Sequence, residues 1–180
     1  MNHAYAGIGS RETPDRVINS MKVIAKRLAQ LNLTLRSGGA PGADSAFEEG
    51  CSEGGGDARI YLPWKGFNKN PSPLYDVCDN ALEMGAYYYG KHRRMSRGVS
   101  RLMGRNCYQV LGLDLNSPVK FICCWTPGGG IKGGTGQALR IAADRDIPVF
   151  NLYSSSALDQ MSRYLRLIGV KGLRDETKLT

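Results

Sequence analysis

Three glycine-rich segments carry the residue types that bind phosphate. Glycine loop 1 covers residues 6–11 (AGIGSR), glycine loop 2 covers residues 37–44 (SGGAPGAD), and glycine loop 3 covers residues 126–136 (TPGGGIKGGTG). Because glycine has no Cβ, the backbone N–H groups of such loops can approach a ligand closely. Each loop leads toward a predicted helix, whose first turn offers unpaired N–H donors and a partial positive charge. Three such loops predict a ligand with several phosphates, or with a phosphate and a ribose.

Side chains and backbone donors in the three loops complete this predicted site. The arginine of loop 1 follows a predicted strand, and a guanidinium forms paired hydrogen bonds with phosphate oxygens. The alternatives are a solvated turn in loop 1 and a tight strand-to-helix turn in loop 2. The predicted contacts are Gly9, Ser10, Arg11, Ser37, Gly38, Gly39, Gly133, Gly134, Thr135 and Gly136.

One carboxylate ends glycine loop 2 and two more follow it closely. Asp44 is expected in the first turn of a helix, where it would either accept a hydrogen bond from a ribose hydroxyl or cap the helix. Glu48 and Glu49 are the nearest candidates for acid–base catalysis, and we interpret them as a solvated helix face. No catalytic residue is therefore assigned.

Four arginines recur along one predicted helix at spacings that put them on one face. They are Arg94, Arg97, Arg101 and Arg105. The stripe would clamp phosphates, through Arg94 and Arg97, or bind a nucleic-acid backbone. The alternative is a solvent-exposed surface in which the aliphatic stems cover apolar neighbours. Tyr87, Tyr88 and Tyr89 precede the stripe, and one of them could stack on a base.

Composition limits the class of protein. The 180 residues carry a net charge of +8, which favours an anionic partner. No apolar run is long enough for a membrane span, and we see no signal peptide, so a cytoplasmic protein is expected. The five cysteines lack the spacing of metal ligands and are expected to be reduced and buried, with no metal or cofactor.

The elements that must position these residues alternate between strands and helices. Strands are predicted over 4–8, 33–35, 58–62, 119–125 and 148–152. Helices are predicted over 14–31 (with Thr13 as N-cap), 43–51, 74–84, 93–111, 137–145 and 157–168. This alternation predicts one α/β domain over 1–170 with a doubly wound, mostly parallel sheet, followed by a polar tail over 171–180. Because ligands bind at the carboxyl ends of parallel strands, all three loops are expected at one edge.

The motifs also resemble a known group of proteins. Loops 1 and 2 together resemble the start of the Rossmann-like domain of DNA-processing protein A, and residues 133–136 resemble the glycine signature of the Lonely Guy (LOG) enzymes. Both belong to the SLOG superfamily, and the resemblance covers about residues 4–152. It implies a Rossmann-like fold of SLOG type. The functions it implies include phosphoribohydrolases of nucleoside monophosphates, binders of single-stranded DNA and sensors of nucleotide signals.

One departure from the LOG pattern bears on catalysis. LOG-like hydrolases carry a glutamate three residues after the threonine of their glycine signature, and our alignment assigns that place to Arg140. We therefore expect a protein that senses or sequesters a nucleotide or ADP-ribose-type signal without hydrolysing it, as a stand-alone phage anti-defence protein would. The alternatives are a nucleotide N-glycosidase and a single-strand nucleic-acid binder. We also expect a homo-oligomer, a dimer or larger.

Overall fold

A computed structural model describes residues 3–90 and 95–170 of the chain. Five strands form one sheet, in which every neighbouring pair is parallel. The strands are β1 (Ala4–Gly9), β2 (Thr34–Ser37), β3 (Ala58–Ile60), β4 (Ile122–Trp125) and β5 (Val149–Asn151). Their order in the sheet is β3-β2-β1-β4-β5. The predicted doubly wound α/β sheet is thereby confirmed, and the winding reverses between β1 and β4.

Within the described residues, six α-helices cover the two faces of the sheet. They are α1 (Asp15–Gln30), α2 (Ala43–Glu53), α3 (Asp79–Gly90), α4 (Arg97–Leu111), α5 (Gly133–Asp144) and α6 (Ala157–Leu167). Buried side chains of α1, α2 and α6 pack on one face, and those of α4 and α5, with part of α3, pack on the other. Successive side chains of a strand point to opposite faces of the sheet. The two consecutive cysteines of β4 show this, since Cys123 packs in the core beneath α1, α2 and α6 and Cys124 packs in the core beneath α4 and α5.

Several predicted element bounds are wrong. Helix α1 begins at Asp15 with Pro14 as its N-cap, because the Thr13 hydroxyl donates to the Ser10 carbonyl instead of capping the helix. Helix α3 begins later than predicted, at Asp79, after a segment in which the Leu74 carbonyl accepts from the Leu62 N–H.

Two other bounds and one cysteine also differ from the predictions. Helix α5 begins inside glycine loop 3, four residues before the predicted start. Helix α4 begins at Arg97, where the Ser96 hydroxyl caps the N–H of Val99 at 3.3 Å. All five cysteines are free and four are buried, but Cys78 is exposed, contrary to the expectation of buried thiols.

Candidate phosphate-binding cavity

A cavity of about 420 Å³ opens at the carboxyl ends of β1 and β4, where the winding of the sheet reverses. Loops 1 and 3 form much of its wall, and α4 contributes the opposite side. The structure brings seven of the predicted site residues together in its lining: Gly9, Ser10, Arg11, Asp44, Gly133, Gly134 and Thr135. This is the place expected for a ligand of an open parallel sheet.

The other predicted site residues lie outside the lining. Ser37 is fully buried and, with Gly38 and Gly39, belongs to a loop whose polar groups turn toward α2. Gly136 is buried in the first turn of α5, where a Cβ would lie 2.5 Å from the carbonyl carbon of Ile131. Arg97 is exposed at the start of α4, and Arg94 lies outside the described residues.

Arg105 is the cation at the floor of the cavity. The interpretation of the arginine stripe as a solvent-exposed surface is wrong for this residue. Its side chain is 4% exposed. Its Nη1 lies 3.5 Å from Asp44 Oδ2 and donates to Gln109 Oε1 at 3.0 Å. A Cβ on Gly38 would lie 1.4 Å from the same Nη1, so only glycine leaves room for the guanidinium.

Two buried donors in the cavity lining have no acceptor within the described part of the chain. They are Nε of Arg105 and Nε2 of Gln109. Burial lowers the pKa of Arg105, and the charges of Asp44 and Glu48 oppose that effect. Buried polar groups are nearly always hydrogen-bonded in native proteins, so this pair suits an acceptor supplied by a ligand.

The N-terminus of α5 supplies backbone donors to the opposite wall. Its N-cap is Lys132, and no side chain caps this helix. Gly133, Gly134 and Thr135 form the first turn and line the cavity, where the first N–H groups of a helix favour an anion. Lys132 is exposed and also lines the cavity.

A buried amide network fixes α5 against α4. The Asn106 side chain donates to the Gly134 carbonyl at 3.1 Å and to Gln137 Oε1 at 3.0 Å. Gln137 in turn donates to the Met103 carbonyl at 3.3 Å. This network was missed from the sequence, although two amides at otherwise apolar positions of facing helices are a signal of it.

Glycine loop 2 differs from the other two because carboxylates of α2 accept hydrogen bonds from its backbone N–H groups. The N–H of Gly39 donates to Glu48 Oε1 at 2.9 Å, and the N–H of Ala40 donates to Asp44 Oδ2 at 3.3 Å. The N–H of Gly38 also bonds to Asp44. Burial raises the pKa of Asp44, and Arg105 opposes that shift.

Glu48 accepts a second and a third hydrogen bond. The Ser37 hydroxyl donates to its Oε1 at 2.7 Å, and the Asn70 amide donates to its Oε2 at 3.2 Å. Burial, together with the charge of Asp44, raises its pKa to about 7. The interpretation of Glu48 as part of a solvated face is therefore wrong, whereas Glu49 is exposed and pairs with Lys22 at 2.7 Å.

The segment that follows β3 covers loop 2 and carries an aromatic pair. Asn68 donates to the Gly39 carbonyl at 3.0 Å. Trp64, which is 39% exposed, meets Phe67 edge to face at 5.1 Å between ring centroids. The Phe67 ring lies 5.9 Å from the guanidinium carbon of Arg105. Phe67 thus lies between the exposed Trp64 ring and the guanidinium of Arg105.

The assignment of Arg140 to the place of the LOG glutamate is wrong. The residue three positions after Thr135 is Ala138, which lines the cavity, and Arg140 does not. The place lacks a carboxylate in either case. The carboxylates that do line the cavity are Glu12 and Asp44.

Within residues 3–90 and 95–170, no group of three or more His, Cys, Asp or Glu is placed to hold a metal ion. The helices in these ranges include none with the length and apolarity needed to cross a membrane.

Comparisons with known proteins agree with the fold. No protein-family model and no curated protein sequence matches the chain. Two solved structures of DNA processing protein A are similar to it, at sequence identities so low that the likeness shows a shared fold and nothing more. The protein from Streptococcus pneumoniae matches with a TM-score of 0.52 and 16% identity over 95% of this chain and 58% of its own. The chain therefore spans little more than half the length of that protein.

The second structure, from Helicobacter pylori, is described as showing a single-stranded DNA binding mode. It matches with a TM-score of 0.54 and 19% identity over 89% of this chain and 72% of its own. The Rossmann-like fold expected from the glycine motifs is thereby confirmed, and it is shared with these two structures of DNA processing protein A.

Proposed function

We propose that this protein binds single-stranded DNA, holding a backbone phosphate in the cavity between loops 1 and 3, and that it does so in the cytoplasm, where free cysteines stay reduced. The observation that carries the proposal is the unpaired Nε of buried Arg105 in the same cavity as the uncapped N-terminus of α5. A phosphate oxygen satisfies both a guanidinium and backbone N–H groups.

The charge around the cavity supports an anionic ligand. Arg11 and Lys132 line the cavity and are exposed, and Arg105 lies at its floor. Asp44 is paired with Arg105, which leaves Glu12 as the exposed carboxylate in the lining. The net charge of +8 of the chain favours a polyanion over a neutral ligand.

A polynucleotide is favoured by the aromatic and basic residues that extend beyond the cavity. Trp64 and Phe67 alternate with Lys65 and Lys69, and both lysines are exposed. Single-strand binding sites combine a basic track with aromatic side chains on which bases stack. A similar fold in the Helicobacter pylori protein, described with a single-stranded DNA binding mode, supports the same choice.

A compact nucleotide or ADP-ribose-type signal, bound without hydrolysis, is the second candidate. The volume of the cavity, about 420 Å³, favours it, because pockets for small ligands start at roughly 300 Å³. The two candidate ligands differ in how many phosphates contact the protein, so the salt dependence of the affinity distinguishes them.

The test is fluorescence anisotropy with a labelled 20-nucleotide oligothymidylate, alongside calorimetry with AMP and ADP-ribose, each across a salt series. For single-stranded DNA, a plot of log K against the logarithm of the salt concentration has a slope near −0.7 per phosphate contacted. We expect this salt slope to be about −2 or steeper for the oligonucleotide, and we expect weak binding of the small nucleotides.

The variant Arg105→Lys keeps the positive charge but removes the Nε donor, and we expect it to weaken oligonucleotide binding about tenfold, or ~1.4 kcal/mol. Arg166→Lys, on the exposed side of α6, is the matched control. Tight binding of AMP or ADP-ribose with a shallow slope, and no oligonucleotide binding, would contradict the proposal in favour of the second candidate. Release of free base from nucleoside monophosphates would assign a hydrolase instead.

A further inference from the structure

We propose that glycine loop 2 is an anion site which the chain fills with its own carboxylates, and that Glu48 is the residue that keeps a ligand phosphate out of it. The inference rests on the proposed function in one respect, that the excluded phosphates are those of a nucleic acid. It assigns Glu48 a role in specificity, because phosphate is then confined to the cavity lined by loops 1 and 3.

The donors of loop 2 converge as they would on a phosphate. One oxygen of Glu48, Oε1, accepts both from the Gly39 N–H at 2.9 Å and from the Ser37 hydroxyl at 2.7 Å. A glycine N–H and a serine hydroxyl are typical donors to a phosphate oxygen. The other oxygen accepts from the Asn70 amide at 3.2 Å. The carboxylate thus takes the position that the glycine pattern predicts for a ligand.

The two carboxylates of the loop differ in what balances their charge. Asp44 lies 3.5 Å from Arg105 Nη1, and this ion pair is buried. Glu48 has no ion-pair partner within 4 Å among the described residues. Its hydrogen-bond donors are all neutral, and such donors would serve a phosphate equally well.

Retaining this acid is costly for the fold. The titratable groups near Glu48 are Asp44 and the Cys51 thiol on its own helix and Arg105 on α4. Burial and the neighbouring Asp44 disfavour its ionised form, as its raised pKa shows. Glutamine would fill the same space without the charge, although its amide nitrogen would then face the Asn70 amide that donates to Oε2. A negative charge in this place accepts the three hydrogen bonds, and the further use that the geometry supports is repulsion of a second anion.

The segment after β3 closes the loop from outside. Asn70 holds Glu48, and Asn68 donates to the Gly39 carbonyl at 3.0 Å. Asn68 adopts a left-handed conformation with φ 51°, which asparagine tolerates better than most residues. Loop 2 is thus covered by this segment, and the donors of Ser37 and Gly39 are satisfied within the chain.

The test is chemical rescue with inorganic phosphate. Glu48→Ala vacates the space and leaves the donors of Ser37 and Gly39 without an acceptor, so added phosphate should bind there. We expect added phosphate to raise the folding equilibrium constant of Glu48→Ala by a factor at least ten times larger than the factor for the wild-type protein. If Glu48→Ala is unfolded in phosphate-free buffer, added phosphate should restore its far-ultraviolet circular dichroism.

Two matched variants and a local probe sharpen the result. Glu48→Gln removes the charge but keeps the space filled, so its response to phosphate should lie between those of Glu48→Ala and the wild type. Glu49→Ala removes an exposed acid from the next position and should respond to phosphate like the wild type. The amide resonance of Gly39 should shift on phosphate addition in Glu48→Ala but not in Glu49→Ala. Equal phosphate responses in Glu48→Ala and Glu49→Ala would overturn the inference, as would a phosphate-dependent shift of Gly39 in the wild type at pH 8. Because the probe is inorganic phosphate, the result is independent of whether the protein binds DNA.

Discussion

Glycine loops 2 and 3 lie at the same edge of the sheet and look alike in sequence, yet their donors meet different partners. The backbone N–H groups of Gly38, Gly39 and Ala40 donate to carboxylates of α2. The first turn of α5, which begins at Gly133, has no side-chain cap and lines the open cavity. One loop is filled by the chain itself, and the other is available to a ligand.

The difference follows from two positions in the helices after the loops. The second and sixth residues of α2 are Asp44 and Glu48, whereas the corresponding residues of α5 are Gly134 and Ala138. Residues four apart lie on the same helix face, so both carboxylates of α2 reach back to the preceding loop. A glycine-rich turn therefore predicts an anion site, and the residues of the next helix decide whether that site is open.

The largest effect is expected from Gly38→Ala, which breaks the packing beneath loop 2. Because the new Cβ would lie 1.4 Å from Arg105 Nη1, the guanidinium must shift, and its burial leaves it little room to do so while it stays paired with Asp44. Breaking a buried ion pair costs about 3–5 kcal/mol, so we expect the free energy of unfolding in urea to fall by about 3 kcal/mol and oligonucleotide binding to be lost. Gly98→Ala is the control, since its Cβ meets no heavy atom within 4 Å. Equal stability of the two variants would refute this packing argument.

A pH-dependent effect of Glu48→Gln tests the charge within loop 2. The pKa of Glu48 is raised from 4.5 to about 7, so the folded state binds its proton more tightly than the unfolded state. Its contribution to stability is complete below pH 4.5 and is lost as the pH rises through 7. At about 1.4 kcal/mol per pH unit, we expect Glu48→Gln to gain about 2–3 kcal/mol relative to wild type between these limits.

Urea unfolding of both proteins at several pH values measures this difference, in which the contributions of all other groups cancel. Glu49→Gln should show no such trend, because Glu49 is exposed. A constant difference between Glu48→Gln and wild type from pH 4 to pH 8 would argue against a raised pKa.

A smaller effect is expected outside the two loops, from Trp64→Leu. Stacking of a base on an aromatic side chain contributes about 1–3 kcal/mol, and Trp64 is 39% exposed. We therefore expect oligothymidylate binding to weaken roughly fivefold, near the lower end of that range, while binding of AMP is unchanged. Tyr87→Leu, on the exposed surface of α3, is the matched variant. A greater loss of oligothymidylate affinity in Tyr87→Leu than in Trp64→Leu would indicate that bases stack on the tyrosines of α3 instead.

The smallest effect is expected at the rim of loop 3. Lys132→Ala removes one exposed cation from the lining of the cavity, so the salt slope of oligonucleotide binding should become shallower by about 0.7. Arg97→Ala tests the predicted contribution of the arginine stripe in the same way, because Arg97 is exposed but lies outside the lining. A slope unchanged in Lys132→Ala would remove loop 3 from the proposed track.

The fold and the edge of the sheet that carries the cavity were predictable from the sequence. The start of α5 was predicted four residues late, because the glycines of residues 133–136 have low helix propensity, and the packing of Asn106 and Gln137 supplies the stability that propensity lacks. Glu48 was missed because a carboxylate on a short helix is most often solvated, and nothing local shows that Asn70 will cover it.

By itself, the sequence determined the alternation of strands and helices and the position of each glycine turn after a strand, because both are set by residues close together in the chain. Only the tertiary structure decided which glycine turn is open. Arg105 meets Gly38 and Asp44 after α4 has packed on the sheet, and Glu48 meets Asn70 after the segment following β3 has folded over loop 2. These partners are distant in sequence, and burial and charge act through distance in space.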